Sequence, residues 1–84
     1  MKWTVVWLPE AKKDLALLWM QATNRNRITS AANFIDKRLA RNPTSEGESR
    51  GDGQRLLIVL PLAVIYTASV EDCLVTIRAV WQFA

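Results

Sequence analysis

Apolar residues in this chain recur at every second position, then at every third and fourth, then at every second again. Over Lys2 to Trp7 the side chains are largely β-branched or aromatic, and Trp3, Val5 and Trp7 share one face of the strand this alternation predicts. Pro9 suits the opening turn of a helix and Glu10 complements its dipole. Ala11, Leu15, Leu18 and Ala22 then follow at spacings of four, three and four, predicting a helix over about Pro9 to Ala22. The polar stretch Thr23 to Arg27 separates it from a second helical run, Ile28, Ala31, Ala32, Ile35 and Leu39. Lys37, Arg38 and Arg41 sit late in that run, where cations complement the dipole, and Pro43 disfavours helical geometry at Asn42. The two helices are expected to form a hairpin over a shared core.

From Pro43 to Gln54 the chain is polar and carries Gly47, Gly51 and Gly53, so it reads as a loop of about a dozen residues, a length often functional or flexible. Three β-rich runs follow, Arg55 to Leu60, Leu62 to Ala68 and Cys73 to Trp81, broken by Pro61 and by the polar turn Ser69 to Asp72. Strands so closely spaced should form an antiparallel meander, which the first strand joins only through the helical connection. The expectation is one α+β domain over residues 1–84: an N-terminal strand, a two-helix hairpin and a three-stranded antiparallel meander, with the helices on one face of the sheet.

Composition narrows the function. Half of the 84 residues are hydrophobic and 23% are charged, a globular balance, while four Trp, one Tyr and two Phe are a heavy aromatic load for so small a body and point to a partner surface. A net charge of +3 mildly favours anionic partners such as RNA, DNA or an acidic protein. Histidine is absent, which removes His-based metal sites and histidine acid–base chemistry. Neither a glycine-rich phosphate motif nor a cluster of metal ligands is present, so no metal or cofactor is expected. The single Cys73 has no internal disulfide partner and no apolar leader opens the chain, which fits a reducing cytoplasm. The longest nearly apolar run, Leu56 to Ala68, is much shorter than the roughly 20 residues of a membrane helix and contains Pro61.

The order of elements, in a chain of this length, resembles the RelE/ParE superfamily of type II toxins over nearly the whole sequence. The segment Trp7-Leu8-Pro9-Glu10-Ala11-Lys12-Lys13-Asp14-Leu15 is similar to that family's first-helix opening and is the most specific match. Ala31-Ala32 with Ile35, Leu39 and Asn42-Pro43 resembles its second helix; Val64-Ile65-Tyr66 and Ile77-Arg78-Ala79-Val80-Trp81 resemble its last two strands. The resemblance implies a toxin held inactive by an antitoxin whose C-terminal segment wraps it, in a hetero-oligomer. It also implies one of two targets: messenger RNA, cut in the ribosomal A site by RelE-like members, or DNA gyrase, poisoned by ParE-like members. The clustered arginines make ribosome-dependent mRNA cleavage the first expectation, with gyrase poisoning or a catalytically degenerate antitoxin-binding module as the alternatives.

RNA cleavage of the RelE kind requires an activated 2′-hydroxyl and neutralised charge on the phosphate and leaving oxygen, which makes Arg55, Arg78 and Tyr66 the candidate catalytic residues. Arg50, Arg55 and Arg78 are the candidate contacts to RNA or another target, each a fork-shaped donor to phosphate. Regular alternation sets Val75, Ile77 and Ala79 on one face of the last strand and Thr76, Arg78 and Val80 on the other. A tight Ser69 to Asp72 turn then sets Tyr66 nearly opposite Thr76, on the face of Arg78, and a one-residue slip separates them. The other reading of Tyr66 is a core aromatic with its hydroxyl at the edge. Trp7, Trp81 and Phe83 are the candidate antitoxin contacts. The chain departs from RelE-like nucleases in having Ala63 where an Arg tends to stand and Gln82-Phe83 in place of a His-Tyr or basic-plus-Tyr ending, and it stops at Ala84 where many relatives continue with a basic tail. Neither Gln nor Phe titrates near neutral pH.

Overall fold

A computed structural model describes residues 2–83; Ala84, where the basic-tail comparison falls, lies outside the described residues. The elements are β1 (Thr4–Trp7), α1 (Pro9–Gln21), α2 (Arg25–Arg41), β2 (Glu48–Gly51), β3 (Gln54–Val59), β4 (Leu62–Ser69) and β5 (Leu74–Gln82). They build one five-stranded sheet in the order β1-β5-β4-β3-β2. β2 to β5 form an antiparallel meander, and β1 returns across the helical hairpin to lie parallel to β5, Val5 beside Val75 and Trp7 beside Ile77.

Both helices start where their sequences allow. Pro9 sits in the first turn of α1 beside Glu10, where its missing N–H costs nothing. Asn24 caps α2, its side-chain oxygen accepting from the Arg27 N–H at 3.3 Å. Next to it, the Arg25 guanidinium donates to the Trp19 and Met20 carbonyls at 3.2 and 3.3 Å and lies over the Trp19 ring at 4.5 Å. One arginine thus satisfies carbonyls left open at the end of α1 and fastens the hairpin there.

The core lies between the helices and one face of the sheet. α2 buries Ile28, Ala31, Ala32, Ile35 and Leu39, the set its periodicity predicts, against Leu57, Leu62, Val64, Tyr66, Val75, Ile77 and Val80. Trp3, Val5 and Trp7 pack against the same cluster, while α1 buries only Ala11 completely and adds Leu15 and Leu18 at its margin. The far face of the sheet carries no helix: Val6, Ile58 and Trp81 are each more than a third exposed. Among the described residues no helix is long and apolar enough to cross a membrane.

Two sequence expectations are corrected. The stretch from Pro43 to Gln54 is not all loop: Glu48–Gly51 form an edge strand on β3, so the meander has four strands. All four residues of β2 are exposed, so its sequence has no buried face to reveal it, and backbone hydrogen bonds hold it instead. Strand β5 does not alternate regularly. Ile65 pairs with Ala79 while Tyr66 pairs with Ile77, leaving Arg78 as the extra residue of a β-bulge. Val75, Ile77 and Val80 therefore face the helices, and Val80 moves to the side opposite that expected.

Candidate functional site

The register set by the β4–β5 turn decides the fate of the expected Tyr66–Arg78 pair: Ser69 pairs with Leu74, which brings Tyr66 opposite Ile77 and not Thr76. Tyr66 stands across from Ile77, on the helix side, and is fully buried; Arg78 is exposed on the other face, so the two do not share a site. The one-residue slip in register is the one that separates them. Tyr66 instead meets Arg55, its direct cross-strand partner on β3.

Around that pair the chain from Pro43 to Gly47 is tied down. The Tyr66 hydroxyl lies 2.7 Å from both the Pro43 and the Glu46 carbonyl oxygens, and its single proton serves the two. The Arg55 guanidinium donates from Nε to the Glu46 carbonyl at 2.9 Å and from Nη2 to the Gly47 carbonyl at 3.2 Å. Gly47 has φ +70°, and a Cβ there would lie 2.6 Å from the Leu56 carbonyl oxygen and 3.1 Å from the Tyr66 hydroxyl, so only glycine fits. Burial pushes the Tyr66 pKa up; the hydrogen bond and charge of Arg55 oppose that, and the charge of Glu46 adds to it. Tyr66 thus stays a neutral donor at physiological pH. Both readings of this residue are now separable: the hydroxyl is a core-edge group spent on loop carbonyls, not one presented on the open face.

Arg50 and Arg78 are positioned differently. Arg50, on the edge strand, is exposed and lies 3.8 Å from Glu48, a solvated ion pair of small energetic consequence. Arg78 projects from the bulge of a central strand; on β1, β3, β4 and β5 it is the only cation of the open face among the described residues. Its surroundings there are Thr76, Ala79, Ile65 and Trp81, which offer a phosphate one guanidinium and no titrating partner.

The three aromatic candidates also divide. Trp81, 39% exposed, lies on the open face, and Phe83, 53% exposed, follows β5. Trp7 belongs to the helix layer, where its indole N–H donates to Asp36 at 2.8 Å. It forms the floor of a groove of about 440 Å³ between α1 and α2, walled by Leu15, Ala16, Trp19, Ile28 and Ala32. Neither this groove nor the apolar stretch of α1 beside it, where Leu17 and Met20 are exposed, was singled out from sequence; the exposed Leu17 and Met20 off the predicted helical stripe were the available signal.

No protein-family model matches the sequence, and no curated protein matches it either. Solved structures do. A chain of the RelBE2 toxin–antitoxin complex from Mycobacterium tuberculosis is 21% identical, with a TM-score of 0.80 over 98% of this chain and 92% of the other. A chain of the chromosomal ParDE system of P. aeruginosa is 15% identical at TM-score 0.71, covering 99% and 98%. A chain of the archaeal RelE–RelB complex from Pyrococcus horikoshii OT3 is 19% identical at TM-score 0.68, covering 100% and 98%. With these matches spanning nearly the whole of each chain, the strand, the helical hairpin and the mixed sheet together have the RelE/ParE-like fold of those chains.

Proposed function

We propose that this chain is the toxin of a toxin–antitoxin module in the cytoplasm, silenced in a hetero-oligomer by a cognate antitoxin, and that it arrests growth by occupying a target rather than by cutting RNA. The fold shared with chains of toxin–antitoxin complexes supports the first half. The second half rests on one observation: Tyr66 and Arg55 face the helix layer and are spent on loop carbonyls, leaving Arg78 as the only cation that β1, β3, β4 and β5 set on the open face among the described residues. Cleavage through a 2′-hydroxyl needs a group that accepts a proton and another that donates one within hydrogen-bond reach. A guanidinium stabilises an anion but does not titrate near neutrality, so Arg78 with Thr76 and Trp81 forms a contact surface, not a proton relay. The target then has the character that the ParE-like resemblance implies, DNA gyrase.

Ribosome-dependent mRNA cleavage is the second reading, favoured by the exposure of Arg78 and of Arg50, whose pair with Glu48 is solvated, so that either could reach a phosphate. Pulse labelling of DNA and protein synthesis after induction separates the two. An early fall in DNA synthesis with translation intact is expected here; an early fall in translation with DNA synthesis intact overturns target occupation at gyrase in favour of cleavage.

A further inference from the structure

The outer face of α2 carries a stripe that neither the core nor the sheet uses. Arg27, Ser30, Phe34, Lys37 and Arg41 recur at spacings of three and four, with Arg38 one turn beyond Phe34, and so share one side of the helix over roughly 21 Å, flanking the buried Ile28, Ala31, Ile35 and Leu39. Phe34 stands in the middle with half its surface exposed, an unusual place for a large aromatic on a polar helix face. The Arg38 guanidinium lies over its ring at 5.1 Å and holds its orientation.

Phe34 forms a wall shared by two clefts. One, about 500 Å³, runs between α2 and the β3–β4 turn and is lined by Asn24, Asn26, Arg27, Ser30, Val59 and Leu60. The other, about 410 Å³, is lined by Lys37, Arg38, Arg41, Asn42 and Glu46. Arg38 is paired with Glu46 at 3.6 Å, whereas Arg27, Lys37 and Arg41 have no ion-pair partner among the described residues. The neighbouring acid, Asp36, is turned to the other flank, where it accepts from Trp7.

We propose that this stripe is a binding surface for a single-stranded nucleic acid, with one base stacked at Phe34, phosphates on Lys37 and Arg41, and a neighbouring base edge in the asparagine- and serine-lined cleft. An aromatic ring between uncompensated cations matches a strand in which stacking faces alternate with phosphates. The amide and hydroxyl groups of the first cleft, beside Arg27, donate and accept, which suits base edges; an acidic peptide would use the cations but leave those groups and the Phe34 ring unmatched. The proposal does not depend on the toxin reading, since it concerns α2 and not the sheet face, and in vitro binding tests it regardless of any effect on growth.

The test is fluorescence anisotropy of the purified chain with labelled mixed-sequence RNA and DNA strands of about ten nucleotides, repeated over a salt series. Phe34→Ala is expected to weaken binding by about 5- to 100-fold with an unchanged melting temperature, because the side chain is half exposed. Replacing Lys37 and Arg41 by Ala is expected to reduce the slope of log affinity against log salt by roughly 1.4, about 0.7 for each lost phosphate contact. A preference for RNA or for DNA identifies the strand and supports the surface either way. Absence of binding, binding indifferent to both variants, or displacement by polyglutamate as effective as by an unlabelled strand overturns it, the last in favour of an acidic protein partner.

Discussion

Tyr66, a catalytic candidate in sequence, is buried and bonded to loop carbonyls in space. It sits beside Arg55 and its hydroxyl joins β4 to the carbonyls of Pro43 and Glu46. Tyr66→Phe removes that donor and leaves the Pro43 carbonyl oxygen unpaired, the Glu46 carbonyl keeping its bond from Arg55, which costs about 1–3 kcal/mol; thermal denaturation should report it as a lowered melting temperature. Tyr66 is the only tyrosine, so tyrosinate absorbance reads it alone. Burial raises its folded pKa above the unfolded value near ~10, so its contribution is fully present below that value and disappears as pH rises through the folded pKa. Alkaline titration should therefore show ionisation later than in the unfolded chain, with stability lost above about pH 10. Titration at the unfolded value would contradict a buried, hydrogen-bonded hydroxyl. Arg78 belongs to the opposite case. Being exposed on a bulge, Arg78→Ala should change stability by less than about 0.5 kcal/mol yet relieve growth arrest, and full toxicity in a well-expressed variant would remove Arg78 from the target contact.

Among the elements, legibility follows burial. The stripe Ile28, Ala31, Ala32, Ile35 and Leu39 announced α2 and each member is in the core; Trp3, Val5 and Trp7 announced the inner face of β1 in the same way. Glu48–Gly51 announced nothing, because a strand exposed throughout is specified by its neighbour's backbone and not by its own side chains. The bulge at Arg78 was equally silent: Ile77-Arg78-Ala79-Val80 is compatible with strict alternation, and only the pairing with β4 reveals the extra residue. The bulge turned Val80 to the helix side, while the one-residue register of the β4–β5 turn, Ser69 opposite Leu74, set Tyr66 and Arg78 on opposite sides. Local stability should follow the same order. In native-state hydrogen exchange, amides of β2 are expected to open far more readily than those of β4, which is flanked on both sides and buried on the helix face. Equal protection in the two strands would mean that β2 is held by more than its pairing to β3.

For the molecule as a whole, apolar surface is left open on both layers: Trp81 and Phe83 by the sheet, Trp19, Leu17 and Met20 by the hairpin. The proposed toxin–antitoxin complex would cover this uncovered hydrophobic area. On the proposed function, the uncomplexed chain arrests growth. The direct measurement is growth of a bacterial culture after tightly controlled induction of this chain alone, with soluble expression confirmed in the same samples. Arrest that co-expression of the antitoxin relieves is the predicted result; unimpaired growth at full soluble expression would contradict the toxin account.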